Sequence, residues 1–137
     1  ENGFGFLVLR KENIRLLGAI WKSNIFPDQT EDEYVHVNLM TGGSHDIKVI
    51  DQDIRVIEKE VIEEFSTIMN VKGGAEMVSS KLWKKAIPQF HVDFASVEDS
   101  MNRFQKENEG FYIGGNFRWG VSVSDCVDGA KNLSEFI

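Results

Sequence analysis

A single cysteine, Cys126, is all the chain contains, which rules out an internal disulfide and fits a reducing compartment. Basic residues are scarce too. Fifteen Lys and Arg stand against 22 Asp and Glu, for a formal net charge of -7. Beyond the pair Lys84-Lys85 no basic cluster rises from that background, so nucleic-acid binding by phosphate neutralisation is not expected. No apolar run approaches the roughly 18 residues of a membrane span, and no signal-peptide pattern opens the chain. G-x-G-x-x-G and G-x-x-x-x-G-K-[ST] are both missing, so neither a complete dinucleotide fold nor a P-loop fold is encoded. Internal repeats and low-complexity segments are absent. The chain begins Glu1-Asn2-Gly3-Phe4, without an initiator Met and directly in strand-like sequence, as a piece of a longer protein would.

What is present suits a folded, soluble domain. Apolar residues make up 42% and charged residues 27%, near the averages for globular proteins, and 137 residues can bury one core. Phe6–Leu9 and Ile14–Trp21 are apolar runs separated by the charged turn 10–13, the pattern of a β-hairpin. Ser23–Glu33, with Pro27 and four acids, reads as a solvated loop. Tyr34–Met40 alternates, placing Val35, Val37 and Leu39 on one face of a strand. Ile54, Ile57, Val61, Phe65 and Ile68 recur at helical spacing within Asp51–Met69, behind the acids Asp51 and Asp53. Charges on that helix, Glu58-Lys59-Glu60 and Glu63-Glu64, read as a solvated outer face.

Met77–Trp83 resumes an extended pattern that Pro88 ends. Asp93–Glu109 returns to helical spacing with Phe94, Val97, Met101 and Phe104, and Gly110 is placed to stop it. Phe111–Ile113 reads as a short strand. Val123, Val127, Ala130, Leu133 and Ile137 mark a last helix, headed by a capping-box pattern at Ser122 and Asp125. The order β-β-β-α-β-α-β-α predicts an α+β fold whose mainly antiparallel sheet carries helices on one face.

The densest stretch is YIGGNFRWGVSVSDC, Tyr112–Cys126. A strand that ends in Gly-Gly and re-enters a helix through Gly120-Val121-Ser122 aims free backbone N–H groups at one point, where the helix dipole adds positive potential. Gly114, Gly115 and Gly120 would let a ligand approach the backbone closely, a phosphate-bearing cofactor being the natural candidate. On local pattern alone the same residues also suit a plain turn with a capping serine.

GFYIGGNFRWGVSVSDCVDGA resembles the closing segment of the protoporphyrinogen oxidases, G-x-x-x-x-GN-x-x-x-GV-x-x-x-DC-x-x-GA, the last strand and helix of their FAD-binding domain. GFGFLV, LLGAIWKSNIFPDQ, MTGGSHD and LWKKAIPQF also appear in that family's order and approximate spacing, so the resemblance covers essentially the whole chain. Leu9 replaces a usual proline, Gln29-Thr30-Glu31 a usual R-A-P, and His91-Val92 a common V-G-H. The resemblance implies that residues 1–110 are the later half of a substrate-binding domain and 111–137 the closing strand and helix of the FAD domain.

It further implies a FAD-dependent oxidase of heme biosynthesis that converts protoporphyrinogen IX or coproporphyrinogen III to a porphyrin. The flavin takes hydride from the macrocycle, and dioxygen or another electron acceptor regenerates it. On that basis Val121, Ser122, Val123, Ser124, Asp125 and Cys126 contact the cofactor, with Gly115 and Asn116 behind them. Trp83 stands near the flavin, or is a core tryptophan on a strand. Phe6, Ile20 and Met40, one from each of the first three strands and sharing one sheet face, clamp the porphyrinogen. No side chain in the chain is expected to be catalytic in itself. Cys126 is expected to be a small buried residue near the cofactor, and His36, His45 and His91 are too scattered for a metal site. The isolated chain should be inactive. The family reading places the protein in the cytoplasm and allows peripheral membrane contact through a segment upstream. Rival readings are a flavin amine oxidase, a carotenoid desaturase-like enzyme, and a non-enzymatic tetrapyrrole-binding module.

Overall fold

A computed structural model describes residues 3–31 and 33–135, apart from the side chain of His45. The chain's first two residues and Ile137, the last apolar position of the expected final helix, lie outside the described residues. Instead of a single compact domain, the chain forms two compact units, Glu1–Lys84 and Lys85–Ile137.

The first unit is built on three strands, β1 (Gly5–Leu7), β2 (Leu16–Trp21) and β3 (Val37–Thr41), which pair antiparallel in sequence order. The expected hairpin forms. Its turn is a 3-10 segment, Arg10–Glu12, closed by Asn13 in the left-handed region at φ 53°, a conformation asparagine tolerates better than most residues. The expected loop after β2 is partly ordered as the single turn α1 (Lys22–Ile25) and a 3-10 turn, Pro27–Gln29. Helix α2 (Ile54–Met69) starts at Asp53, whose carboxylate accepts the N–H of Arg55 at 2.9 Å, and ends at Asn70 in the left-handed region. Both ends use the side chains that helix termini favour.

The core lies between one sheet face and α2. Leu16, Val49, Ile57 and Val61 are buried together, with Phe6, Val8, Leu39, Ile50 and Phe65 packed around them. The Phe6 ring stacks on Phe65 at 6.4 Å and tilts against Trp21 at 5.6 Å. Of the stripe predicted for α2, Ile57 and Val61 reach full burial, whereas Ile68 at the far end is exposed.

β2 departs from regular alternation. Leu16 pairs with Thr41 and Gly18 with Met40, so Leu17 is an extra residue in the ladder. Such a bulge sets two residues against one and brings Leu16 to the core face alongside Ala19 and Trp21. The backbone N–H groups of Arg15 and Leu16 go to the two oxygens of Glu64, at 2.9 and 2.7 Å. Arg15 also bonds Asp46 at 2.9 Å, Gln52 at 2.6 Å and Glu60 at 2.5 Å. Glu60 and Glu64 are therefore not idle solvation, as their charge pattern suggested. They tie the start of β2 to α2.

The expected strand over Met77–Trp83 does not form, and the segment is mostly exposed and irregular. It pairs with neither edge strand, β1 nor β3.

The second unit consists of helices α3 (Phe94–Glu107), α4 (Asn116–Trp119) and α5 (Val123–Ser134). α3 ends at Glu107 with Asn108 as its C-cap, so Gly110, at φ 80°, lies three residues past the helix end that it is expected to close. Phe90 meets Phe94 edge-on at 4.9 Å and Phe104 meets Phe111 edge-on at 5.2 Å. Phe111–Ile113 makes no strand pairing among the described residues. The N–H of Phe111 bonds the backbone carbonyl of Asn108 at 3.1 Å, and Ile113 is tied by side chains. Ile113 N–H donates to Gln105 Oε1 at 2.6 Å, and Ile113 O accepts Arg118 Nη1 at 2.7 Å. Apart from the single turn α1 between β2 and β3, the three strands precede the helices, an α+β chain in which the sheet belongs to the first unit.

Candidate cofactor-binding site

Between Ile113 and α5 the chain turns twice through glycine. Gly115 and Gly120, both near φ +130°, flank the single turn of α4, a backbone region that side-chain-bearing residues rarely adopt. Ser122 then caps α5 reciprocally: its Oγ accepts the N–H of Asp125 at 3.0 Å, and its own N–H donates to Asp125 Oδ2 at 3.3 Å. The predicted capping box is present. It leaves the N–H groups of Val123 and Ser124 at the positive end of the helix without intrahelical partners, as the first turn of any helix must.

This end of α5 is open. Val121 through Asp125 are all exposed, and a shallow depression of about 490 Å³ is lined by Asn116, Val121, Ser122, Val123, Cys126, Val127 and Ala130. Its rim is apolar apart from Asn116 and Ser122. Cys126 is half-buried, with Sγ 3.6 Å from the carbonyl of Gly120. The donor set, two amides beside a valine-rich wall, suits the edge of a flat ring system whose polar carbonyls alternate with hydrocarbon. A flavin fits that description.

Most of the predicted cofactor residues converge here. Asn116, Val121, Ser122, Val123 and Cys126 line the depression, Asp125 caps the helix beneath it, and Ser124 supplies an amide of the first turn. Gly115 is the hinge into α4. The three glycines have more specific duties than general openness. A Cβ on Gly114 would stand 2.1 Å from the Trp119 ring, and one on Gly120 would stand 2.4 Å from Asp125 Oδ2. Gly114 therefore makes room for a tryptophan and Gly120 for a capping carboxylate.

Trp83 belongs to the first unit. It lies on no strand and is 65% exposed, with Lys81 Nζ over its ring at 5.2 Å, so the core alternative is set aside.

The three predicted substrate residues do not share a face. Phe6 pairs with Ala19 on the side packed against α2. Ile20 and Met40 alternate to the opposite side, with Gly18 and Leu7. The reason is the pleat, since the register that seats Phe6 beside Phe65 sends Ile20 outward.

Sequence reasoning passed over Arg118 and Trp119. Arg118 bonds Gln105 at 2.9 Å, Asn102 at 2.5 Å and Glu98 at 3.5 Å, besides Ile113 O. Trp119 fills the space over Gly114 and over Gly129 of α5. A basic residue next to an aromatic one between two glycines was the available signal. Among the described residues no group of three or more His, Cys, Asp or Glu is placed to hold a metal ion.

A sheet backed by one helix, and a separate unit whose last helix opens on a glycine-bounded turn, define an α+β chain with a candidate site at a helix end. No family model matches the sequence. The chain is nevertheless related to the porphyrinogen oxidases along nearly all its length. It is 25% identical to the mitochondrial protoporphyrinogen oxidase of Nicotiana tabacum, over 98% of this chain and 27% of that protein. It is 30% identical to the chloroplastic protoporphyrinogen oxidase of Oryza sativa subsp. japonica, over 93% of this chain and 25% of that protein. With the coproporphyrinogen III oxidase of Bacillus subtilis (strain 168) it shares 24% identity, over 96% of this chain and 28% of that protein. The chain thus spans about a quarter of the length of the curated relatives it matches.

Proposed function

We propose that the chain is part of a FAD-dependent oxidase that dehydrogenates a porphyrinogen, protoporphyrinogen IX or coproporphyrinogen III, to a porphyrin in heme biosynthesis. The observation that carries this reading is the open, capped end of α5 facing a depression lined by Asn116, Val121, Ser122, Val123 and Cys126. Relatives named for both porphyrinogens support it, and favour the porphyrin branch over an amine oxidase or a carotenoid desaturase.

When bound, the flavin would accept the hydride removed from the macrocycle and pass the electrons to dioxygen or another acceptor. The chain's own residues have other roles. The amides of Val123 and Ser124 would donate to a ring carbonyl, where the helix dipole favours negative charge. Val121, Val123 and Val127 would exclude water from the ring edge. Asp125 engages Ser122 in the capping box and leaves those two amides without an intrahelical acceptor. Residues 1–110 would then belong to the substrate domain and 111–137 to the FAD domain. Ile20 and Met40, on the outer sheet face, suit a contact with an apolar macrocycle better than Phe6 does, which is engaged with Phe65.

The test uses the full-length protein. It should purify yellow, and addition of either porphyrinogen under air should raise porphyrin fluorescence. The isolated chain should show neither property. A colourless full-length protein that leaves both porphyrinogens unchanged would reject the proposal.

A further inference from the structure

Arg118 and Trp119 are neighbours on α4 and engage different elements. The side chain of Arg118 is only 10% exposed. It reaches Gln105, Asn102 and Glu98, all on α3, and the carbonyl of Ile113. Trp119 instead fits over Gly114 on one side and Gly129 of α5 on the other. A helix of one turn has no stability of its own, because nucleation is unfavourable and only propagation is rewarded. α4 is therefore held where it is by these two side chains. Asn116 begins it, and Val121 and Ser122 follow directly after it, so three lining residues of the depression depend on its placement.

We infer that Arg118 is a positioning residue for the cofactor site: by fastening α4 to α3 it fixes Asn116 and the first turn of α5 at the spacing a flavin edge requires. The inference rests on the flavin reading of the depression and assigns a role to a residue that lines no part of it. Arginine suits the task because its rigid fork can meet several acceptors at once, which a lysine ammonium cannot do with the same geometry. Removing it takes the guanidinium donor from Asn102, Glu98 and the Ile113 carbonyl, while Gln105 Oε1 keeps only the Ile113 N–H, and the link from α4 to α3 is lost.

The experiment compares the full-length protein with its Arg118→Met and Arg118→Lys variants. For each, the FAD dissociation constant, the midpoint potential of the bound flavin and the melting temperature are measured. Loss of charged hydrogen bonds should raise the dissociation constant roughly tenfold in Arg118→Met and make the potential more negative, with Arg118→Lys between the two. Leu16→Ala, in the core of the other unit, is the control for stability alone. It should lower the melting temperature and leave affinity and potential unchanged. Wild-type affinity and potential in Arg118→Met would overturn the inference, as would an equal change in Leu16→Ala. If Arg118→Met does not fold, Gln105→Leu replaces it, and wild-type values there overturn the inference in the same way. A wild-type protein that holds no flavin would instead overturn the reading of the depression itself, before any variant is compared.

Discussion

The indole of Trp119 occupies the space that a side chain on Gly129 would need: a Cβ there would lie 2.2 Å from Cδ2 of the ring. Gly129 sits inside α5, where alanine ordinarily stabilises a helix by about 0.5–1 kcal/mol. Here the sign reverses. Gly129→Ala should lower the stability of the intact protein by about 1–3 kcal/mol, the usual cost of overpacking, as read by denaturant unfolding. Adding Trp119→Val should recover part of the loss, since the clash disappears with the ring. A Gly129→Ala variant more stable than wild type would refute the contact.

Glu64 offers a second measurement. Its carboxylate takes two consecutive backbone N–H groups at the bulge, and Glu64→Ala leaves both without an acceptor. The loss should be about 1–3 kcal/mol. Glu63, exposed and paired with Lys59 at 3.8 Å, should contribute little when changed to Ala. Amide hydrogen exchange at Arg15 and Leu16 should accelerate in the first variant and not in the second.

Capping is tested at Ser122. Ser122→Ala removes the acceptor for Asp125 N–H and should cost about 0.5–2 kcal/mol. Ser122→Asp retains an acceptor and should lose less. Equal melting temperatures for Ser122→Ala and wild type would show that the box adds nothing to stability.

Leu16 is the most deeply buried large side chain of the first unit, at 1% exposure. Leu16→Ala should destabilise by about 2–5 kcal/mol. Leu7→Ala on the exposed face of β1 should stay within about 0.5 kcal/mol of wild type.

Elements with strong periodicity were readable in the sequence. The hairpin, β3, α2, α3 and α5 follow from apolar spacing, and Asp53 and the Ser122–Asp125 pair mark helix starts as helix chemistry predicts, whereas α3 stops three residues before Gly110. The two further strands were misread because a strand needs a partner, and apolar residues over Met77–Trp83 and Phe111–Ile113 say nothing about whether one is adjacent. Side chains distant in sequence were equally hidden. Glu64 meets Leu16 across 48 positions, and no local pattern announces it. At the site, the capping residues and amides were legible from local rules, whereas the insertion of Trp119 between Gly114 and Gly129 depends on how α4 and α5 meet.

The bulge at Leu17 decides the parity of β2. In an unbroken ladder Leu17 would stand opposite Thr41 and point toward α2, and Leu16 would share the solvent side with Gly18 and Ile20. The surplus residue exchanges the two leucines. One irregular step thus determines which member of an adjacent, chemically identical pair becomes the keystone of the interior.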